Sequence, residues 1–175
     1  MAAGARVTQR HGVGDPLAML TWTGKQVYPM RLTVMDVEII DIAHALARQC
    51  RFNGHCDGYI SVANHCVRVS EILQRSGCSV YDQRWGLLHD AAEAYLGDVI
   101  TPMKRSGMFE VYYAAEQLAE AAIAEKFGLS FPMPACIKDA DTVAVKHEMD
   151  ELWSFAATPG DDEALYLARF KELFQ

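Results

Sequence analysis

The run Leu87-Leu88-His89-Asp90-Ala91-Ala92-Glu93 sets an imidazole and two carboxyls among apolar residues. Ionisable side chains are costly in a core unless they are paired or bind a metal. Read as helix, the run brings His89, Asp90 and Glu93 to one side, because residues three and four apart are neighbours. Imidazole with carboxylate suits a divalent transition metal. Glu93, one turn along, is placed to handle protons. A His-Asp dipeptide alone is usually a surface pair or a satisfied polar pair, so its companions matter. Ser61-Val62-Ala63-Asn64-His65 lies upstream, Gly97-Asp98 and Thr101-Pro102-Met103-Lys104 follow directly, and Lys138-Asp139-Ala140-Asp141 lies downstream.

His65 falls on the apolar stripe Val62, Cys66, Val69, Ile72 and Leu73 of a helix that Ser61 caps and that runs to about Gln74 before Gly77. A lone histidine there is more often a core residue. An inward His-Asp pair on another helix favours the ligand reading. Asp141 shares a stripe with Ile137, Ala140, Ala144, Val145, Glu148 and Leu152, whereas Asp139 points elsewhere. Asp141 is therefore the ligand candidate of the two.

This order of blocks, His…His-Asp…Asp with Gly-Asp…Thr-Pro-x-Lys after the dipeptide, resembles the HD-domain metal-dependent phosphohydrolases. The match is nearest to their bacterial 5′-deoxynucleotidases and to phage dATP-cleaving and other deoxynucleoside triphosphohydrolases. It runs from about Cys50 to Trp153. It implies one divalent ion (Mn, Fe, Co, Zn or Ni) held by His65, His89, Asp90 and Asp141. Glu93 and Asp98 would orient water or pass a proton to the leaving oxygen. Arg51 and Phe52 fill the places where the family keeps an Arg-Trp pair that meets phosphate and sugar. Lys104 would meet a phosphate, its bland alternative being a solvated basic turn. The implied substrate is a small-molecule 2′-deoxynucleotide cleaved at its 5′-phosphate ester, as mono- or triphosphate. Another phosphoester, or an inactive nucleotide-binding module, are the alternatives.

The elements that must position these groups are helical. We expect an all-α, HD-type bundle of about six helices in one domain, with residues 1–33 as an irregular arm. That arm has extended pieces near Ala18–Trp22 and Gln26–Tyr28, and Trp22 and Tyr28 pack on the core. Thr33 with Asp36 reads as a helix start, giving Val34–Cys50 with His44 beside its stripe as a core histidine. Arg51–Gly58 reads as a loop. The central motif sits in one helix, Asp82–Leu96, ended by Gly97, and Thr101–Gly107 is a loop. Met108–Phe127 is amphipathic, with Tyr112, Ala115, Leu118, Ala119, Ala122 and Ile123 inward; its alanine stripe suggests a close helix contact or a subunit interface, hence a homo-oligomer. Pro134 opens the next helix, and Asp161–Phe174 closes the chain.

The 175 residues are 51% apolar, enough for a real core, and carry a net charge of −7. An acidic chain is a poor candidate for nucleic-acid polymers. No run of eighteen apolar residues occurs, so no membrane span is expected. No export signal is visible, and five cysteines without a CxxC favour reduced thiols in the cytoplasm. Cys50, His55, Cys56, His65 and Cys66 fit no zinc-finger spacing.

Overall fold

Helices form here where an apolar stripe meets a good cap. A computed structural model describes residues 15–150 and 157–175. Among them the chain forms eight α-helical segments, two of a single turn. The all-α expectation holds; the sheet is a hairpin of β1 (Met19–Leu20) and β2 (Gln26–Val27). In α2 (Val62–Arg75), Ser61 Oγ accepts from Asn64 N–H at 3.0 Å. In α3 (Val80–Leu88), Ser79 and Asp82 cap each other's backbone N–H, three residues earlier than a start at Asp82. The remaining elements are α1 (Ile39–Leu46), α4 (Glu93–Leu96), α5 (Thr101–Lys104), α6 (Glu110–Lys126), α7 (Ala135–Asp150) and α8 (Pro159–Phe174).

At the centre is α2, packed on α3, α7 and α8. It buries Val62, Val69 and Leu73 against Trp85, Leu87, Ile137 and Tyr166. The approach to α3 is closest at Gly86. A Cβ there would lie 2.5 Å from Leu73 Cδ1 and 3.1 Å from Ser70 Cα. Polar side chains of α8 hold both partners. Asp162 accepts from Ser61 Oγ at 2.6 Å and Asn64 Nδ2 at 2.8 Å. Tyr166 donates to Leu87 O, and Arg169 donates to Ser70 Oγ and Gln83 Oε1. Each of these α8 groups is buried, and each has a partner, as buried polar groups require.

Several boundaries depart from the sequence expectation. Thr33 and Asp36 close a turn rather than open a helix. Val37 and Glu38 then run outside any helix, so α1 starts at Ile39, five residues after Val34. The central helix is two helices: residues 89–92 form turns between α3 and α4. Their backbone stays right-handed, but Ala91, Glu93, Ala94 and Tyr95 donate to the carbonyl three residues back. Part of the Thr101–Gly107 loop is the single turn α5. Leu118 is 54% exposed rather than inward. Trp22 is half exposed and stacks on His44, ring centroids 3.9 Å apart, instead of entering the core. Leu152, Trp153 and the arm before residue 15 lie outside the described residues. No helix among those described is long and apolar enough to cross a membrane.

Candidate metal centre

Three elements converge on one point. The first turn of α2 brings His65, fully buried. The end of α3 and the turn after it bring His89 and Asp90. The middle of α7 brings Asp141, while Asp139 faces solvent. His65 Nε2 lies 3.1 Å from Asp141 Oδ1 and 3.7 Å from Asp90 Oδ2. His89 Nε2 lies 3.1 Å from Asp90 Oδ2. Atoms bonded at roughly 2.0–2.2 Å to one ion sit about 3 Å apart, which the two 3.1 Å pairs match, while Asp90 stands further from His65. Both Nε2 atoms are buried without hydrogen-bond geometry to any partner, despite the nearby carboxylates. The donor set therefore fits a metal.

Each imidazole is held from behind. His89 Nδ1 is 2.9 Å from Gly86 O, and a carbonyl can only accept, so Nδ1 carries the proton. His65 Nδ1 is 2.7 Å from Glu148 Oε1. Among the described residues, two overlapping groups could hold a metal ion: His65, His89 and Asp141, and Cys66, His89 and Asp90. Cys66 is buried, and burial pushes its thiol up to about 11 despite His89 beside it, so it stays a neutral thiol unless an ion is bound.

The field around the cluster is divided. Burial works against ionised Asp90, but His89, then His65 and Arg51, hold it well below the usual carboxylate range. Burial likewise opposes a charged His89, yet Asp90 keeps it well above its ordinary value. Asp141 is lowered against its burial, by His65 first among the opposing causes. Glu93 goes the other way. Burial, then Asp90 and Asp98, push it up to about 9, and its Oε2 is buried without a partner. Asp98 is raised by burial, with Arg51 opposing.

A cleft of about 170 Å³ opens beside the cluster, lined in part by His89, Asp90, Glu93, Lys104, Glu120 and Asp141. Lys104 does not stand alone in it. Its Nζ lies 2.8 Å from Glu116 Oε1 and 3.7 Å from Glu93 Oε1. Arg51 is also engaged: Nε donates to Glu148 Oε2 at 2.9 Å. Phe52 follows with φ +55°, its ring 5.5 Å from the Arg51 guanidinium carbon. A positive φ is uncommon in a bulky residue. Arg51–Gly54 forms a short 3₁₀ turn within the expected loop. Sequence reasoning placed Glu148 on the inward stripe without giving it a role, and it passed over Glu116 and Glu120. A carboxylate two turns after Asp141 on a buried stripe was the available signal.

No protein-family model matches the chain. Over 148 residues it is 37% identical to an uncharacterized protein of Rhodobacter capsulatus, covering 79% of this chain and 74% of that protein. Over 132 residues it is 35% identical to the uncharacterized protein YfdR of Escherichia coli strain K12, covering 75% and 70%. The chain belongs to their family.

Proposed function

We propose that this protein is an HD-type, metal-dependent phosphohydrolase acting at the 5′-phosphate ester of 2′-deoxynucleotides. One observation carries the reading: His65 Nε2 faces carboxylate oxygens of Asp141 at 3.1 Å and Asp90 at 3.7 Å, His89 Nε2 faces Asp90 at 3.1 Å, and both imidazole Nε2 atoms lack hydrogen bonds. An ion held by these four residues would supply Lewis acidity and a bound water of lowered pKa. Mixed imidazole and carboxylate ligation suits Mn, Fe, Co, Zn or Ni.

The chain's own residues supply the rest. Glu93, pushed up to about 9 in the metal-free chain and lining the cleft, is placed to pass a proton to a leaving oxygen. Asp98, which feels the charges of Arg51, Asp90 and Lys104, orients the attacking water or the sugar. Arg51 has given its Nε to Glu148, so the terminal guanidinium nitrogens are what a phosphate would meet. Lys104 reaches a phosphate only by sharing its charge with Glu116 and Glu93. The cleft is smaller than the roughly 300–1,000 Å³ of sites that enclose a whole drug-sized ligand. It suits a phosphate and sugar with the base toward the open side; Phe52 does not line the cleft, and a preference for the 2′-deoxy sugar requires that it reach the sugar from the Arg51 loop.

The test is a panel of nucleoside and deoxynucleoside mono- and triphosphates against each metal, with products resolved by chromatography. Deoxynucleotide hydrolysis that needs added metal and stops with a chelator is the expected result. Inorganic phosphate or triphosphate as product identifies the bond cleaved. Binding without any product would replace this reading with an inactive nucleotide-binding module.

A further inference from the structure

Glu148 lies deeper than any of the ligand carboxylates, with none of its side chain exposed. A buried carboxylate persists only when its oxygens are paired. Here the two oxygens are divided between two elements. Oε1 takes His65 Nδ1 at 2.7 Å, and Oε2 takes Arg51 Nε at 2.9 Å. A carboxylate in this setting only accepts, so His65 must carry its proton on Nδ1. That leaves the Nε2 lone pair aimed at Asp90 and Asp141. The other tautomer would set two lone pairs against each other at Glu148 and aim an N–H at the ligand cluster.

Helix geometry makes the arrangement economical. Glu148 follows Asp141 by seven residues, two turns of α7, so both share its inward face. One helix thus presents a candidate ligand and the group that orients a second one. His89 is held by a neutral carbonyl instead, and so has no such charged support.

We infer that Glu148 is a positioning residue: it fixes the tautomer and ring orientation of His65 for metal binding, with Arg51 as its counter-charge. The inference rests on the metal reading above. It also makes Arg51 more than a phosphate contact, because removing that guanidinium would leave Glu148 paired on one side only.

The experiment compares metal-free wild type with Glu148→Gln. An amide has one acceptor oxygen for two donors, so Arg51 or His65 loses its partner. Co²⁺ is titrated into each, followed by its visible absorption and by competition with a chelator. Folding is checked by circular dichroism. Outer partners of a metal-binding histidine typically matter 10–100-fold in affinity, so the dissociation constant for Co²⁺ should rise by about that factor in Glu148→Gln. Histidine ¹⁵N spectra of Zn²⁺-loaded wild type should show the ion on Nε2 of His65 and the proton on Nδ1. Equal Co²⁺ affinity in both folded proteins overturns the inference and leaves the metal reading standing. No Co²⁺ binding by wild type overturns both. Should Glu148→Gln fail to fold, the Zn²⁺-loaded wild-type spectrum decides, and an ion on Nδ1 rather than Nε2 of His65 rejects the inference.

Discussion

Asp139 and Asp141 differ by two positions on α7 and by everything a metal would notice. Asp141 reaches His65 Nε2 at 3.1 Å, whereas Asp139 is exposed. Asp141→Ala should therefore lose bound metal, and Asp139→Ala should keep it, by elemental analysis of proteins loaded with Mn²⁺ or Co²⁺. The reverse pattern would exclude the cluster as the site. Glu93 makes a different prediction. It is not among the four convergent ligands, and its free oxygen is buried at the cleft. Glu93→Gln should keep metal and fold but lose turnover by roughly 10²–10⁴-fold, the usual contribution of a positioned acid or base. Near-normal kcat on the best deoxynucleotide would remove Glu93 from the chemistry. Arg51 is where reading from sequence alone was too simple. The family resemblance suggested a substrate contact only, but the Arg51 Nε is tied to a residue ninety-seven positions away. No spacing rule exposes such a pair, because it depends on how α7 returns to α2.

Between elements, the decisive contact is Gly86. It lies one turn before His89 in α3, and α2 passes close enough that no side chain fits. In Gly86→Ala, helix propensity gains up to about 1 kcal/mol. The new methyl meets Ser70 Cα at 3.1 Å, which is backbone and cannot swing aside. Overpacking of this kind typically costs about 1–3 kcal/mol. We expect a net loss of stability in denaturant melts, together with weaker Co²⁺ binding, because α3 carries His89 and α2 carries His65. A variant as stable as wild type, with unchanged metal affinity, would mean that the two helices can separate without moving the ligands. The elements themselves were largely legible. The cap at Ser61 and the 3.6-residue period of α2, α6 and α7 announced the long helices, whereas the Thr158 cap of α8 came only with the structure. The break at residues 89–92 was not legible, since Ala91 and Ala92 are good helix formers and the backbone stays right-handed there. What tightens the chain is tertiary: His89 bonds back to Gly86 O while its Nε2 faces the cluster. The Thr33–Asp36 start misled for the opposite reason. Such a pair caps a helix or closes a turn equally well, and buried Val37 decides for an extended exit.

Over the whole molecule, the acidic balance gathers unevenly, and one wall of the cleft carries Glu93, Glu116 and Glu120 with Lys104. Proximity of carboxylates in a half-buried setting costs stability once they ionise. Burial, then Glu116, hold Glu120 up to about 7, against an ordinary value of 4.5, with Lys104 pulling the other way. Because its folded value lies above its unfolded value, the folded chain binds more protons between these two limits. Stability from this group is therefore complete below about 4.5, declines as pH rises through 7, and levels off above it. Glu120→Gln has no proton to lose. Relative to wild type, it should gain stability between pH 5 and pH 8, by on the order of 1–2 kcal/mol once solvent screening of a partly exposed group is allowed for. Urea unfolding of both metal-free proteins at pH 5, 6.5 and 8 measures this directly. The difference between them should grow with pH and flatten above neutrality. A constant difference across that range would mean that Lys104 already neutralises this wall, leaving its ammonium committed to Glu116 and Glu93 rather than to any phosphate that enters the cleft.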